Sequence, residues 1–166
     1  MALTVVWKLS YAMKDGLLPI GGEKCGLATP YNNSVANIPI GTKGESSIVV
    51  RPEDAISFLG VEGARALGTP FLIGHLEMTA RDSVKSLLQE GFDTVGARVD
   101  VRHLAATPLG MRVIFRSELT AIEGRRLLFR VEAFDEKEMI SEGTHERAII
   151  QVDKFAARVQ AKGRRD

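Results

Sequence analysis

Residues 69–91, TPFLIGHLEMTARDSVKSLLQEG, constrain the fold more than any other stretch of the chain. Thr69-Pro70 is a helix-start signal, with Thr at the N-cap and Pro at the first helical position. Gly91 is a stop, so the pattern predicts a helix of about 21 residues. Its first half is apolar nearly all round, which fits a helix that is buried. Downstream the sequence offers strands to cover it. Val95–Leu104, Met111–Ile122, Arg125–Asp135 and Met139–Val152 are long and rich in Val, Ile, Leu and Phe. Val99, Val101 and His103 alternate with Arg98, Asp100 and Arg102, a period of two with one face turned inward. Glu123-Gly124 and Glu136-Lys137 are short turn sites, so the last three strands read as an antiparallel meander. Upstream, Ser46–Val50 reads as a strand, Arg51–Leu59 as a short helix and Gly60–Gly68 as a loop. The fold class predicted is α+β, one long central helix wrapped by an antiparallel sheet of about five strands.

The charge balance and cysteine count exclude several functions. The 22 basic and 21 acidic residues of this 166-residue chain nearly cancel. That gives no general attraction to nucleic acid or to an anionic membrane. One cysteine, Cys25, excludes an internal disulfide framework and a Cys-based zinc site. Three histidines count against a histidine-rich metal site. No apolar run approaches the ~20 residues of a membrane-spanning helix. The start, MALTVVWKLSYAM, lacks the basic region and cleavage site of a secretory signal, so a cytoplasmic location is expected. Residues 1–37 carry turn chemistry with no sustained period and read as an irregular extension; Met13 is an alternative start. Residues 38–160 form the expected domain and 161–166 a basic tail, with KFAARVQAKGRRD expected to fray. Neither a P-loop nor a GxSxG elbow is present, which disfavours a P-loop NTPase and a serine hydrolase.

Three side chains could carry chemistry. Glu77 lies in the apolar half of the helix, where a carboxylate is costly without a partner or a use. It either pairs with Arg81 at i+4 or serves a site, and Gly74 one turn away leaves room for a ligand. His103 ends the alternating strand on its inward face, where it is a core residue or an acid–base partner for a helix carboxylate. Thr69 caps the helix, and its hydroxyl lies where unpaired N–H groups favour a carbonyl oxygen or oxyanion. Gly96 is a turn residue or a backbone donor at close approach. His75, two residues before Glu77, points elsewhere and suits packing or an interface. His145 and Arg147 share a strand face; they read as solvated or as a pair for an anionic group. The clusters Arg125-Arg126 and Lys162–Arg165 either touch a phosphate or are solvated.

The segments Thr69–Glu77 (TPFLIGHLE), His103–Met111 (HLAATPLGM), Glu123–Arg126 (EGRR) and Gly143–Ile150 (GTHERAII) resemble the hotdog thioesterase family that includes fluoroacetyl-CoA thioesterase, over about residues 38–160. Thr and Glu stand eight apart and Glu and His 26 apart. The resemblance implies a hotdog fold and hydrolysis of a small acyl-CoA thioester. It implies Thr69, Glu77 and His103 as catalytic residues, Gly96 as the amide facing the thioester carbonyl, and sites at a homodimer interface, with a tetramer as a further possibility. Arg147 is expected to bind substrate. No metal or bound cofactor is implied, since CoA belongs to the substrate; nucleic acid and membrane are not expected partners. One departure stands out: the paired phenylalanines of the fluoroacetyl-specific lid fall on glycines in GVEGARALG. A non-catalytic acyl-CoA binder or sensor is the alternative reading, and a hydratase a third, disfavoured because its usual Asp/His signature is missing.

Overall fold

The computed structural model describes residues 38–164. Strand β1 (Lys43–Val49) leads through two single-turn 3-10 segments to helix α1 (Thr69–Lys85). Strands β2 (Phe92–His103), β3 (Arg112–Glu123), β4 (Arg126–Asp135) and β5 (Met139–Gln151) follow, then helix α2 (Val152–Gly163). The five strands form one antiparallel sheet in the order β1-β3-β4-β5-β2. The expected meander is β3-β4-β5, and the long helix lies on one face of the sheet, as predicted.

That packing follows from two periods. Leu72, Leu76, Ala80 and Val84 recur every four residues and are fully buried along one side of α1. They meet the inward phase of the strands, including Val113, Phe115, Leu119, Leu127, Phe129 and Val131. The opposite phase of the strands is charged and cross-linked, as in Arg116–Glu45, Arg130–Glu118 and Arg126–Glu146. Among the described residues β2 pairs with β5 alone, and no strand lies on its other edge. No described helix is long and apolar enough to cross a membrane.

Four expectations need correction. The first turn of α1 is capped by Gly68, not Thr69: the Gly68 carbonyl accepts from Phe71 and Leu72 N–H, each at 3.0 Å. The helix ends at Lys85 rather than Gly91, because Leu87 and Leu88 N–H bond three residues back, to Val84 and Lys85, a tightening that stops α-helix propagation. Arg51–Leu59 contains only the 3-10 turn Pro52–Asp54. The segment expected to fray is helix α2, which begins where β5 ends; its hydrogen bonds run within the segment, so basic composition does not prevent it. Residues 1–37, including Cys25 and Met13, lie outside the described residues.

Candidate active site

α1 and β2 place the predicted residues in two clusters. At the start of α1, Thr69 Oγ1 lies 2.9 Å from His103 Nδ1 at the end of β2. Because Gly68 supplies the cap, the Thr69 hydroxyl is not spent on the helix and is free for this contact. His103 Nε2 is buried and has no hydrogen-bond partner among the described residues. Burial pushes the His103 pKa down, the Ala105 backbone opposing, so the ring is neutral and able to take a proton at pH 7.

Two turns further along α1 stands Glu77. Its side chain is 37% exposed and reaches Gly96 on β2, where an added Cβ would collide with Glu77 Oε1. Glu77 does not pair with Arg81; Arg81 instead binds Asp93 through two hydrogen bonds. The partner of Glu77 is Arg147 on β5, whose Nη1 donates to the carboxylate at 3.2 Å and to the Glu77 carbonyl at 3.1 Å. Eight residues separate Thr69 from Glu77, which is roughly 12 Å along the helix. The Thr69–His103 pair and the Glu77–Arg147 pair are therefore distinct within one chain, although the sequence reading expected Glu77 and His103 to meet.

His145 and Arg147 are not solvated. They are 1% and 2% exposed, on the helix-facing side of β5. Arg147 Nε donates to Thr94 Oγ1 and Nη2 to the Thr94 carbonyl, both at 2.8 Å. Nη1 also lies 3.0 Å from His145 Nε2. Since a guanidinium only donates, His145 Nε2 accepts, and its Nδ1–H donates to the Arg98 carbonyl at 2.9 Å. The bonds fix one neutral tautomer. Burial pushes the His145 pKa down, and the Arg147 charge adds to this against the Arg98 hydrogen bond. Burial likewise pulls Arg147 below its ordinary value, with Glu77 opposing. Sequence reasoning missed Thr94 and the burial of His145. The usable signal was phase: His145 and Arg147 share it with buried Ile149. His75 packs, as expected, stacking on Phe115 with centroids 5.0 Å apart.

The site makes two expectations measurable. His103 and His145 both have lowered pKa values in the fold. Their contribution is intact above the unfolded value near 6.5 and is lost as pH falls, because the unfolded chain binds protons first. The melting temperature should therefore fall as the pH drops below about 6.5. Asp93 and Asp135, with lowered carboxylate pKa values, do not titrate until well below that pH. His145→Gln should show a shallower acid-side decline in a thermal melt series; an unchanged slope would remove His145 from the effect. Gly96→Ala adds a methyl group where Glu77 Oε1 lies. The flexible carboxylate can move aside, so the protein should fold, while turnover falls by about 10²-fold for a displacement of roughly 1 Å. Steady-state kinetics beside a melt would show it.

Comparison with known proteins agrees with this architecture. Residues 50–153 match the family model of the fluoroacetyl-CoA-specific thioesterase. The fluoroacetyl-CoA thioesterase of Streptantibioticus cattleyicolor is 35% identical over 129 residues, covering 74% of this chain and 93% of that protein. A solved structure of a single-substitution variant of the fluoroacetyl-CoA-specific thioesterase, in complex with fluoroacetate and CoA, is 34% identical. It has a TM-score of 0.66 and covers 71% of this chain and 99% of its own. A hot-dog-like protein from Thermanaerovibrio acidaminovorans is 24% identical with a TM-score of 0.72, covering 81% and 99%, and shares the fold. With the Thr69, Glu77, Gly96 and His103 positions inside the matched span, this chain belongs to the fluoroacetyl-CoA-specific thioesterase family and has the hotdog fold.

Proposed function

We propose that this protein hydrolyses a small acyl-CoA thioester to the free acid and CoA, with each site assembled from two copies of the chain. The observation that carries the reading is the division of the site residues into two clusters roughly 12 Å apart on one helix. The unpartnered edge of β2 offers the means of joining them. Antiparallel pairing of two β2 strands about a two-fold axis at Asp100 sets inward Val99 opposite the partner's Val101 and, because β2 is irregular between Gly96 and Arg98, brings Gly96 beside the partner's His103 on the same face of the joined sheet. Glu77 of one copy then faces the Thr69–His103 pair of the other. Covering a long free edge also removes a surface prone to unwanted pairing.

In this site Glu77, held through Oε1 by Arg147, takes a proton from water as the water oxygen attacks the thioester carbonyl carbon. The carbonyl oxygen, gaining charge, is met by the Gly96 N–H and the Thr69 hydroxyl. The C–S bond breaks, and neutral His103 accepts the proton held by Glu77 and passes it to the departing CoA sulfur, which returns Glu77 to its ionised form and His103 to neutral. The chemistry needs protein groups and water, with CoA entering as part of the substrate. The single cysteine, Cys25, leaves no disulfide within the chain, which suits a cytoplasmic site of action.

The test is release of free thiol from a panel of acyl-CoAs by the purified protein. Short acyl-CoAs should be turned over; binding without thiol release would make the protein an acyl-CoA binder. Acetyl-CoA and fluoroacetyl-CoA should be processed at comparable rates. By the resemblance, glycines of GVEGARALG stand where the fluoroacetyl-specific lid has its aromatic pair, and the nearby Phe58 is 80% exposed, pointing to solvent. A strong preference for the fluorinated thioester would show that another group replaces those rings.

A further inference from the structure

Most exposed arginines on this molecule are neutralised. Arg98, Arg102, Arg116, Arg126 and Arg130 each have a carboxylate within 4 Å. Arg125, Lys154 and Arg158, like Arg112 and Arg164, have no carboxylate pairing with them among the described residues, and these three stand together. All three line one groove of about 430 Å³ where β2 begins and α2 leaves β5, together with Phe92, Gln151 and Ala157. Lys154 and Arg158 stand four residues apart, so they project from the same side of α2. Arg125 is held in place by donating from Nε to the Ile149 carbonyl at 2.9 Å. The acidic residue of the first turn of α2, Asp153, does not line the groove. A second groove, over β1, β3 and β4, has Glu45, Glu118 and Glu132 among its cations and is internally balanced.

The groove is also at a useful distance from the proposed reaction. Phe92 pairs with Gln151, and Gly96 with Arg147, in the same β2–β5 ladder. Four residues of strand separate the two pairs, roughly 13 Å. The pantetheine arm of CoA, with two amides and a branched hydroxy acid between sulfur and phosphate, has a reach of about four residues of extended chain. A thioester beside Glu77 would thus carry its nucleotide to this groove. Three cations suit a diphosphate and a ribose phosphate, and Phe92 and Ala157 give the adenine an apolar wall.

We infer that the Arg125–Lys154–Arg158 groove binds the phosphates of the CoA nucleotide. The inference rests on the acyl-CoA reading above and adds to it the subsite that recognises CoA as a carrier. The experiment compares acetyl-CoA with S-acetyl pantetheine, which has the same thioester and no phosphates, in the wild type and in the double variant Lys154→Ala/Arg158→Ala. Alanine is a strong helix former, so α2 should persist, and circular dichroism would verify it. The variant should raise KM for acetyl-CoA about tenfold or more with kcat retained, and should flatten the rise of wild-type KM with salt. Kinetics on S-acetyl pantetheine should be the same in both proteins. An unchanged KM for acetyl-CoA, or an equal change for both thioesters, overturns the assignment. If neither thioester is hydrolysed, the thioesterase reading fails separately. Calorimetric titration with adenosine 3′,5′-bisphosphate then decides: binding by the wild type and its loss in the variant support the subsite, and no binding by the wild type overturns it.

Discussion

Glu77→Gln and His103→Ala, each nearly inactive alone, should recover about a quarter of wild-type activity when unfolded together and refolded as a mixture. Each change removes a positioned acid–base group and should lower turnover by about 10²-fold or more. In a mixed dimer one site would carry both substitutions and the other neither, because the proposed site draws Glu77 and His103 from different copies. Random pairing makes about half the dimers mixed, and half of their sites intact. If both groups acted within one chain, mixing would restore nothing. The roughly 12 Å between the Thr69–His103 pair and Glu77 along α1 is the physical basis for expecting recovery. A monomer in light scattering would defeat the shared site by a separate route.

Replacing Arg147 by Ala should cost both fold and function. The guanidinium is 2% exposed and donates to Thr94 Oγ1, the Thr94 carbonyl, the Glu77 carbonyl, the Glu77 carboxylate and His145 Nε2. Truncation strands acceptors that are mostly out of reach of water, at about 1–3 kcal/mol for each one left unpaired. Since Glu77 is partly exposed and can rehydrate, a total loss of about 3 kcal/mol or more is expected rather than the full sum. Turnover should fall by about 10²-fold in whatever folded protein remains, because the carboxylate loses its anchor. Arg147→Lys keeps the charge but not the fork of donors, and should fall between the two. Chemical denaturation and thiol-release kinetics on the same samples would separate the effects. Wild-type stability in Arg147→Ala would mean that water replaces the guanidinium.

Much of this was legible in the sequence, and the exceptions have physical reasons. Strand alternation and the apolar first half of α1 are periodic, local signals, and they gave the sheet, the helix and the inward direction of His103. Glu77 was conspicuous because a carboxylate in an apolar segment needs an explanation. Its partner was not, since Arg147 lies 70 residues away and no local rule couples β5 to α1. The nearby candidate, Arg81, was drawn off by Asp93 on β2. The sequence reads His145 and Arg147 as a solvated strand face or a pair for an anionic group, yet the alternation that buries Ile149 reaches back through Arg147 to His145. The end of α1 was overestimated because propensity continues through Ser86-Leu87-Leu88 while the chain tightens to enter β2 at Phe92. Helix α2 was missed because its packing is peripheral and none of its residues is buried, so no apolar face of the core announced it.

The way α1 begins bears on how such a protein can change over evolutionary time. Gly68 caps the helix through its own backbone, Pro70 presets the first turn, and the Gly68 N–H is held by the Asp54 carbonyl at 2.8 Å. None of these contacts uses the side chain at position 69. Mutational drift at that position is therefore filtered by the hydroxyl's contact with His103 and, in the proposed site, with the substrate, and hardly at all by whether the helix starts. Reactivity at this end of the site and thermal robustness of the domain are set by adjacent but separate residues, so one can be adjusted with little disturbance to the other.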